Sequence, residues 1–178
     1  SVTPVREAIT QLISEGFIEA LPNKRRRVAA LTQKQAIDLM DVLGAVFVAG
    51  LERADGKLSD EWLEDFKRSV ADFGAALGSG DMQTSGPAFG RIVKLVFDAA
   101  GNDELHAVMD QVMLRSLRRI QLYPSQHLLP LWSEAFSDVA DLLTIGKHAA
   151  AVDRMRRFFA ELVAAMHRDR NDEELVGP

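Results

Sequence analysis

Arg6 and the run Lys24, Arg25, Arg26 and Arg27 are the residues whose type and spacing could do chemistry on a polyanion. Four cations within residues 23–27 supply the electrostatic part of binding to a phosphate backbone, and an arginine carried on a helix can bond both acceptors of a guanine edge. The same run also fits a solvated turn, and Arg6 fits an exposed helix cation beside Thr10. Catalysis has less to work with. There is no cysteine, no Gly-rich phosphate loop and no H-E-x-x-H, and the carboxylates are scattered over polar faces, so neither a nucleophile beside a base nor a paired-carboxylate site can be assembled. His106, His127, His148 and His167 are too far apart in sequence and pattern to converge on a cation. His106 and His148 read as helix-surface or cap residues. The chain is therefore expected to be no enzyme and to carry no metal and no cofactor.

The elements that must position these cations can be read from their neighbours. Pro4 suits a first helical turn, where its missing N–H costs nothing, and Ser1 or Thr3 suits the cap. Val5, Ile9, Leu12 and Ile13 recur at helical spacing until Gly16. Residues 17–21 alternate as a strand does, residues 22–25 form a turn, and residues 27–30 return as a second strand. Helix, hairpin and basic tip make half of a winged helix. A module of about 31 residues cannot close a core alone, since chains below about 40 residues usually need outside support, so the sequence is expected to begin partway through a larger fold.

The remainder is longer and helical. With 178 residues, 47% of them hydrophobic and 26% charged, the chain can bury a sizeable core. Thr32 and Gln35 form a capping box before an apolar face of Leu39, Val42, Leu43, Val46, Phe47 and Leu51. Further helices are expected over residues 60–77, 87–100, 103–122, 126–144 and 147–167. Residues 81–86 read as a turn, Pro124 as a break and Pro130 as a kink. The expected fold is mainly α, a partial winged helix-turn-helix (residues 1–31) followed by an antiparallel bundle of about six helices (residues 32–168) and a flexible polar tail (residues 169–178). The net charge of −5 is unevenly spread, with a local excess of positive charge over residues 1–31 and an acidic remainder. No run reaches the length of a membrane span and no secretory signal is present, so a cytoplasmic location is expected.

The stretch SVTPVREAITQLISEGFIEALPNKRRRVAAL closely resembles the second half of the winged helix-turn-helix of GntR-type bacterial transcription regulators, through TPVREAI, then Leu12, Gly16 and the basic wing. The helical remainder resembles, more loosely, the FadR-like effector domain known as FCD, through AAGN at residues 99–102 and IGKHAAAVDRM at residues 145–155. The resemblance implies a homodimeric regulator bound to a palindromic double-stranded DNA operator. It places Ser1, Thr3 and Arg6 on the recognition helix against DNA, and Asn23, Lys24, Arg25, Arg26 and Arg27 on a wing reaching a minor groove. Val2 departs from the arginine usual there, which removes one base or phosphate contact.

Many FCD-type domains hold a metal through an aspartate and three histidines from separate helices. In this chain Gly86 and Gly90 stand at two of those positions, and Phe136 and Phe158 at the others. Leu43 and Phe47 replace a usual arginine and glutamate. Four lost ligands leave no zinc or nickel site. Phe47, Phe89, Phe136 and Phe158 then either pack as a plain core or line an apolar pocket between helices. With a pocket, a small organic effector such as a fatty acid or acyl-CoA is a candidate, and Arg115, Arg118 and Arg119, with Arg91 and Lys94, could receive its anionic head. Those cations also fit solvated faces or dimer salt bridges. The competing reading is a structural or protein-interaction bundle with neither effector nor working DNA-binding domain.

Overall fold

The computed structural model describes residues 3–14, 18–29, 32–122 and 126–175, with the side chains of Thr3, Lys24, Met82, Gln126, 117–122 and 170–175 outside that description. The expectations placed on Ser1, Val2, Gly16, Phe17, Ala30 and Pro124 fall outside the described residues. The chain divides into two compact units, Ser1–Thr32 and Gln33–Pro178.

In the first unit α1 (Thr3–Ser14) rests on β1 (Ile18–Ala20), which pairs antiparallel with β2 (Arg26–Val28). The register sets Ile18 against Val28, Glu19 against Arg27 and Ala20 against Arg26. A 3-10 turn at Pro22–Lys24 joins the strands, and Asn23 adopts φ 66°, the left-handed conformation that asparagine tolerates better than most residues. The Leu21 N–H donates to the Arg25 carbonyl at 2.8 Å and closes the turn.

The described residues of the second unit form six α-helices, α2 (Gln33–Arg53), α3 (Asp60–Ser79), α4 (Met82–Ala100), α5 (Asp103–Leu122), α6 (Leu129–Thr144) and α7 (His148–Leu175), with a short 3-10 turn at Gln126–Leu128 before α6. The fold is thus mainly α, with one two-stranded sheet ahead of a helical bundle. Helix α2 touches α4, α5 and α7, while α3 packs on α4 and α6, and α6 on α7. The apolar face of α2 read from the sequence explains its place: Leu39, Leu43, Phe47 and Leu51 are all buried. Val42 turns outward. No described helix is long and apolar enough to cross a membrane.

Helix ends follow cap chemistry. Ser59 accepts from the Trp62 N–H at the start of α3, and Asn102 Oδ1 accepts from the Leu105 N–H at the start of α5. Gly80 and Gly101 close α3 and α4 in the left-handed conformation. Residues 81–86 correct the expected turn: α4 begins at Met82, because Asp81 caps it through bonds from the Gln83 and Thr84 N–H groups at 2.9 and 3.4 Å. Pro87 therefore lies inside the helix. Pro130 sits in the first turn of α6, where it is compatible with a helix start instead of kinking one. Residues 169–175, read as tail from the sequence, continue α7.

Candidate nucleic-acid interface

Helix α1 presents Arg6 to solvent. Thr10 does not hold the guanidinium: its hydroxyl donates to the Arg6 backbone carbonyl at 2.8 Å. Arg6 has no ion-pair partner among the described residues. The apolar stripe of α1 is divided, with Ile9 and Ile13 half-buried while Val5 and Leu12 remain 58% and 37% exposed. Thr3 starts the helix.

The hairpin carries the rest of the expected contact set. Asn23 stands exposed in the turn, and Arg25 and Arg26 are exposed immediately after it, neither with an ion-pair partner among the described residues. Lys24 belongs to the same turn. Arg27 differs from its neighbours. Its Nε donates to Glu19 Oε2 at 2.7 Å, across the strand pair that sets the two residues opposite each other. The sequence reading counted four equivalent cations. It set Glu19 in the charge balance of residues 1–31 without pairing it to Arg27, a pairing that follows from the antiparallel register that sets the two opposite each other.

The residues expected around an effector separate into two groups. Leu43, Phe47, Phe89, Phe136 and Phe158 are all buried, and the rings meet directly. Phe136 lies 5.6 Å from Phe47, 5.7 Å from Phe89 and 6.1 Å from Phe158 between ring centroids. Trp132, which the sequence reading did not single out, stacks on Phe136 and meets Phe158 edge-on at 5.0 Å. Phe73, Phe97 and Phe159 extend the same cluster. Gly90, on α4, is half-buried, and apart from its chain neighbours and the adjoining backbone of its own helix no atom lies within 4 Å of the position a Cβ would take. Arg115 stands exposed on α5 and takes no part in the ring cluster. The Arg119 side chain is outside the description. Arg91 and Lys94, also weighed for an anionic head, pair with Asp72 and Asp98.

Among the described residues no three metal-binding side chains converge. His106 sits 3.9 Å from both Asp98 and Asp110, and His127 lies 3.1 Å from Asp169. His148 is a cap between helices: its Nε2 donates to the Leu51 carbonyl of α2 at 2.8 Å. An open cleft of about 400 Å³ lies between the end of α3 and the start of α6, bordered by Leu77, Gly80, Leu129, Pro130 and Ser133. None of these was among the expected site residues.

No protein-family model and no curated protein matches the chain. Solved structures do. McbR/YncC of E. coli superposes with a TM-score of 0.75 at 16% identity, over 96% of this chain and 82% of that one. Lar, described as controlling the expression of the Listeria monocytogenes agr system and mediating virulence, gives 0.71 at 19% identity over 94% and 80%. A transcriptional regulator of the GntR family from Pseudomonas syringae pv. tomato gives 0.61 at 17% identity over 97% and 73%. At such identities the likeness is one of fold: this chain is built like those solved chains over nearly its whole length.

Proposed function

We propose that this protein is a DNA-binding transcriptional regulator of the GntR type, in which the first unit supplies the recognition helix and wing of a winged helix-turn-helix and the second is an FCD-like effector and dimerisation domain. One observation carries the reading. Arg25 and Arg26 stand exposed at a tight hairpin turn, without an ion-pair partner among the described residues, in the same small unit as a helix that presents Arg6, on a chain that is otherwise acidic. Such a unit can neutralise phosphates while an arginine on its helix reads base edges. Ser1, Thr3, Asn23 and Lys24 complete the proposed contact set, and Arg27 lies beside it on β2.

The proposed operator is palindromic and the regulator a homodimer. Val42 of α2 and Val108 and Leu114 of α5, exposed on two helices that pack together, supply apolar surface for a two-fold contact. The proposed effector is a small apolar or fatty-acyl molecule held without a metal, because Leu43, Phe47, Phe89, Phe136 and Phe158 offer only apolar groups. Its entry requires the rings to part, so oleate binding should change Trp132 emission in a Trp62→Phe background. A second reading, a helical interaction protein without effector, is favoured by the direct ring-to-ring contacts that close the cluster.

The experiment for the DNA reading replaces Arg25 and Arg26 together by Gln and follows duplex binding against salt. Each phosphate contact contributes about 0.9 to the slope of log affinity against log salt. Loss of both arginines should flatten the slope by about two such steps. An unchanged slope removes the wing from the interface.

A further inference from the structure

Glu19 and Arg27 face each other across β1 and β2, joined by the bond from Arg27 Nε to Glu19 Oε2 at 2.7 Å. Side chains alternate across a strand, so this pair occupies one face of the hairpin while Ile18, Ala20, Arg26 and Val28 share the other. Arg25 precedes β2 at the turn. We infer that Glu19 is a positioning residue of the wing: it holds Arg27 to the hairpin as a neutral pair and leaves phosphate contact to Arg25 and Arg26. This inference rests on the DNA-binding reading above.

The reason is electrostatic. A phosphate that approaches Arg27 meets the Glu19 carboxylate at nearly the same distance, so attraction and repulsion largely cancel and no counterion is released for that arginine. Arg25 and Arg26 have no such partner among the described residues and keep their full charge. Stability does not account for the pair. Its two side chains are 60% and 38% exposed, and ion pairs that wet contribute little to folding. What the carboxylate changes is the charge the wing shows to DNA: it reduces a run of like cations to those at the tip and on one face.

The test uses the full chain and a fluorescein-labelled duplex of mixed sequence, with anisotropy read between about 50 and about 200 mM salt. The readout is the slope of log affinity against log salt. Glu19→Gln should steepen it by about one and tighten binding at the low-salt end, and the double variant Glu19→Gln with Arg27→Gln should return to the parent slope. A shallower slope for the double variant than for the parent overturns the inference, because Arg27 would already be counted among the phosphate contacts. So does a Glu19→Gln variant that keeps the parent's thermal transition and its slope. The two levels separate cleanly. Flattening by Arg25→Gln with Arg26→Gln, together with flattening by the double variant Glu19→Gln with Arg27→Gln, removes this inference alone, whereas a parent that does not bind the duplex removes the DNA-binding reading and this inference with it.

Discussion

Phe136 is fully buried and its ring meets Phe47, Phe73, Phe89, Trp132 and Phe158, contributed by α2, α3, α4, α6 and α7. One side chain thus touches most of the bundle. Phe136→Ala should cost about 3–5 kcal/mol, as for other buried aromatic truncations, read as a lowered urea midpoint with little change in the denaturant slope. A loss under about 1 kcal/mol would mean the rings are loosely packed. The sequence carried the facing of these residues but not their separation. Apolar spacing reports which side of a helix turns inward, and it does not report how far that side stands from the next helix. Core and pocket were therefore open alternatives for Phe47, Phe89, Phe136 and Phe158. Trp132 lies one helical turn before Phe136 and shares its buried face on α6, whereas the kink expected at Pro130 would have interrupted that face. At the wing the limit was different: a run of like cations hides the one that has a partner on the next strand.

Helix contacts depend on where side chains are absent. A Cβ on Gly44 of α2 would stand 2.5 Å from Phe159 Cγ and 2.6 Å from Phe159 Cβ of α7. The Cβ of Phe159 cannot swing away, so α2 and α7 would have to separate. Gly44→Ala should destabilise the bundle by about 1–3 kcal/mol despite alanine's better helix propensity. Gly90→Ala is the matched control: with open space at its Cβ position, it should be neutral or stabilising by up to about 1 kcal/mol. Urea unfolding of both variants checks the contrast, and equal effects would remove the close α2 to α7 approach. Element ends were mostly legible, since the helix starts expected at residues 60 and 103 and the end expected at residue 100 are those of α3, α5 and α4. The start of α4 was not, because Gly86 and Pro87 are strong breakers in isolation, yet the Asp81 cap lies upstream of both. Bonds from the Thr84 side chain and the Gln83 N–H hold the Asp81 carboxyl below its ordinary range. With the folded value below the unfolded one, the charged cap stabilises α4 above about pH 4 and that contribution is lost as the pH falls through the folded value. Protection of the Gln83 and Thr84 amides, taken relative to the intrinsic exchange rate at each pH, should fall at acid pH in the parent and show no such step in Asp81→Asn.

Across the whole chain the charges are sorted: the exposed cations Arg6, Arg25 and Arg26 belong to the unit Ser1–Thr32, while the unit Gln33–Pro178 is net acidic and ties many of its cations into pairs such as Arg91 with Asp72, Arg154 with Asp138 and Arg156 with Glu52. An arrangement of this kind makes a distinct prediction about polyanions. If attraction were general, the acidic second unit would oppose it, and any flexible polyanion would do as well as DNA. If the helix and the wing together match a groove, phosphates at fixed spacing are required, and geometry adds to charge. Competition separates the two cases. Heparin and mixed-sequence duplex, matched for total charge, are titrated against a complex of the full chain with labelled duplex at fixed salt. The groove reading expects duplex to displace the label at a markedly lower charge concentration than heparin, with the advantage lost in an Arg6→Gln variant that keeps its thermal transition. Equal displacement by the two would reduce the first unit to a cationic patch, and the regulator reading would then have no physical basis in the arrangement of α1, β1 and β2.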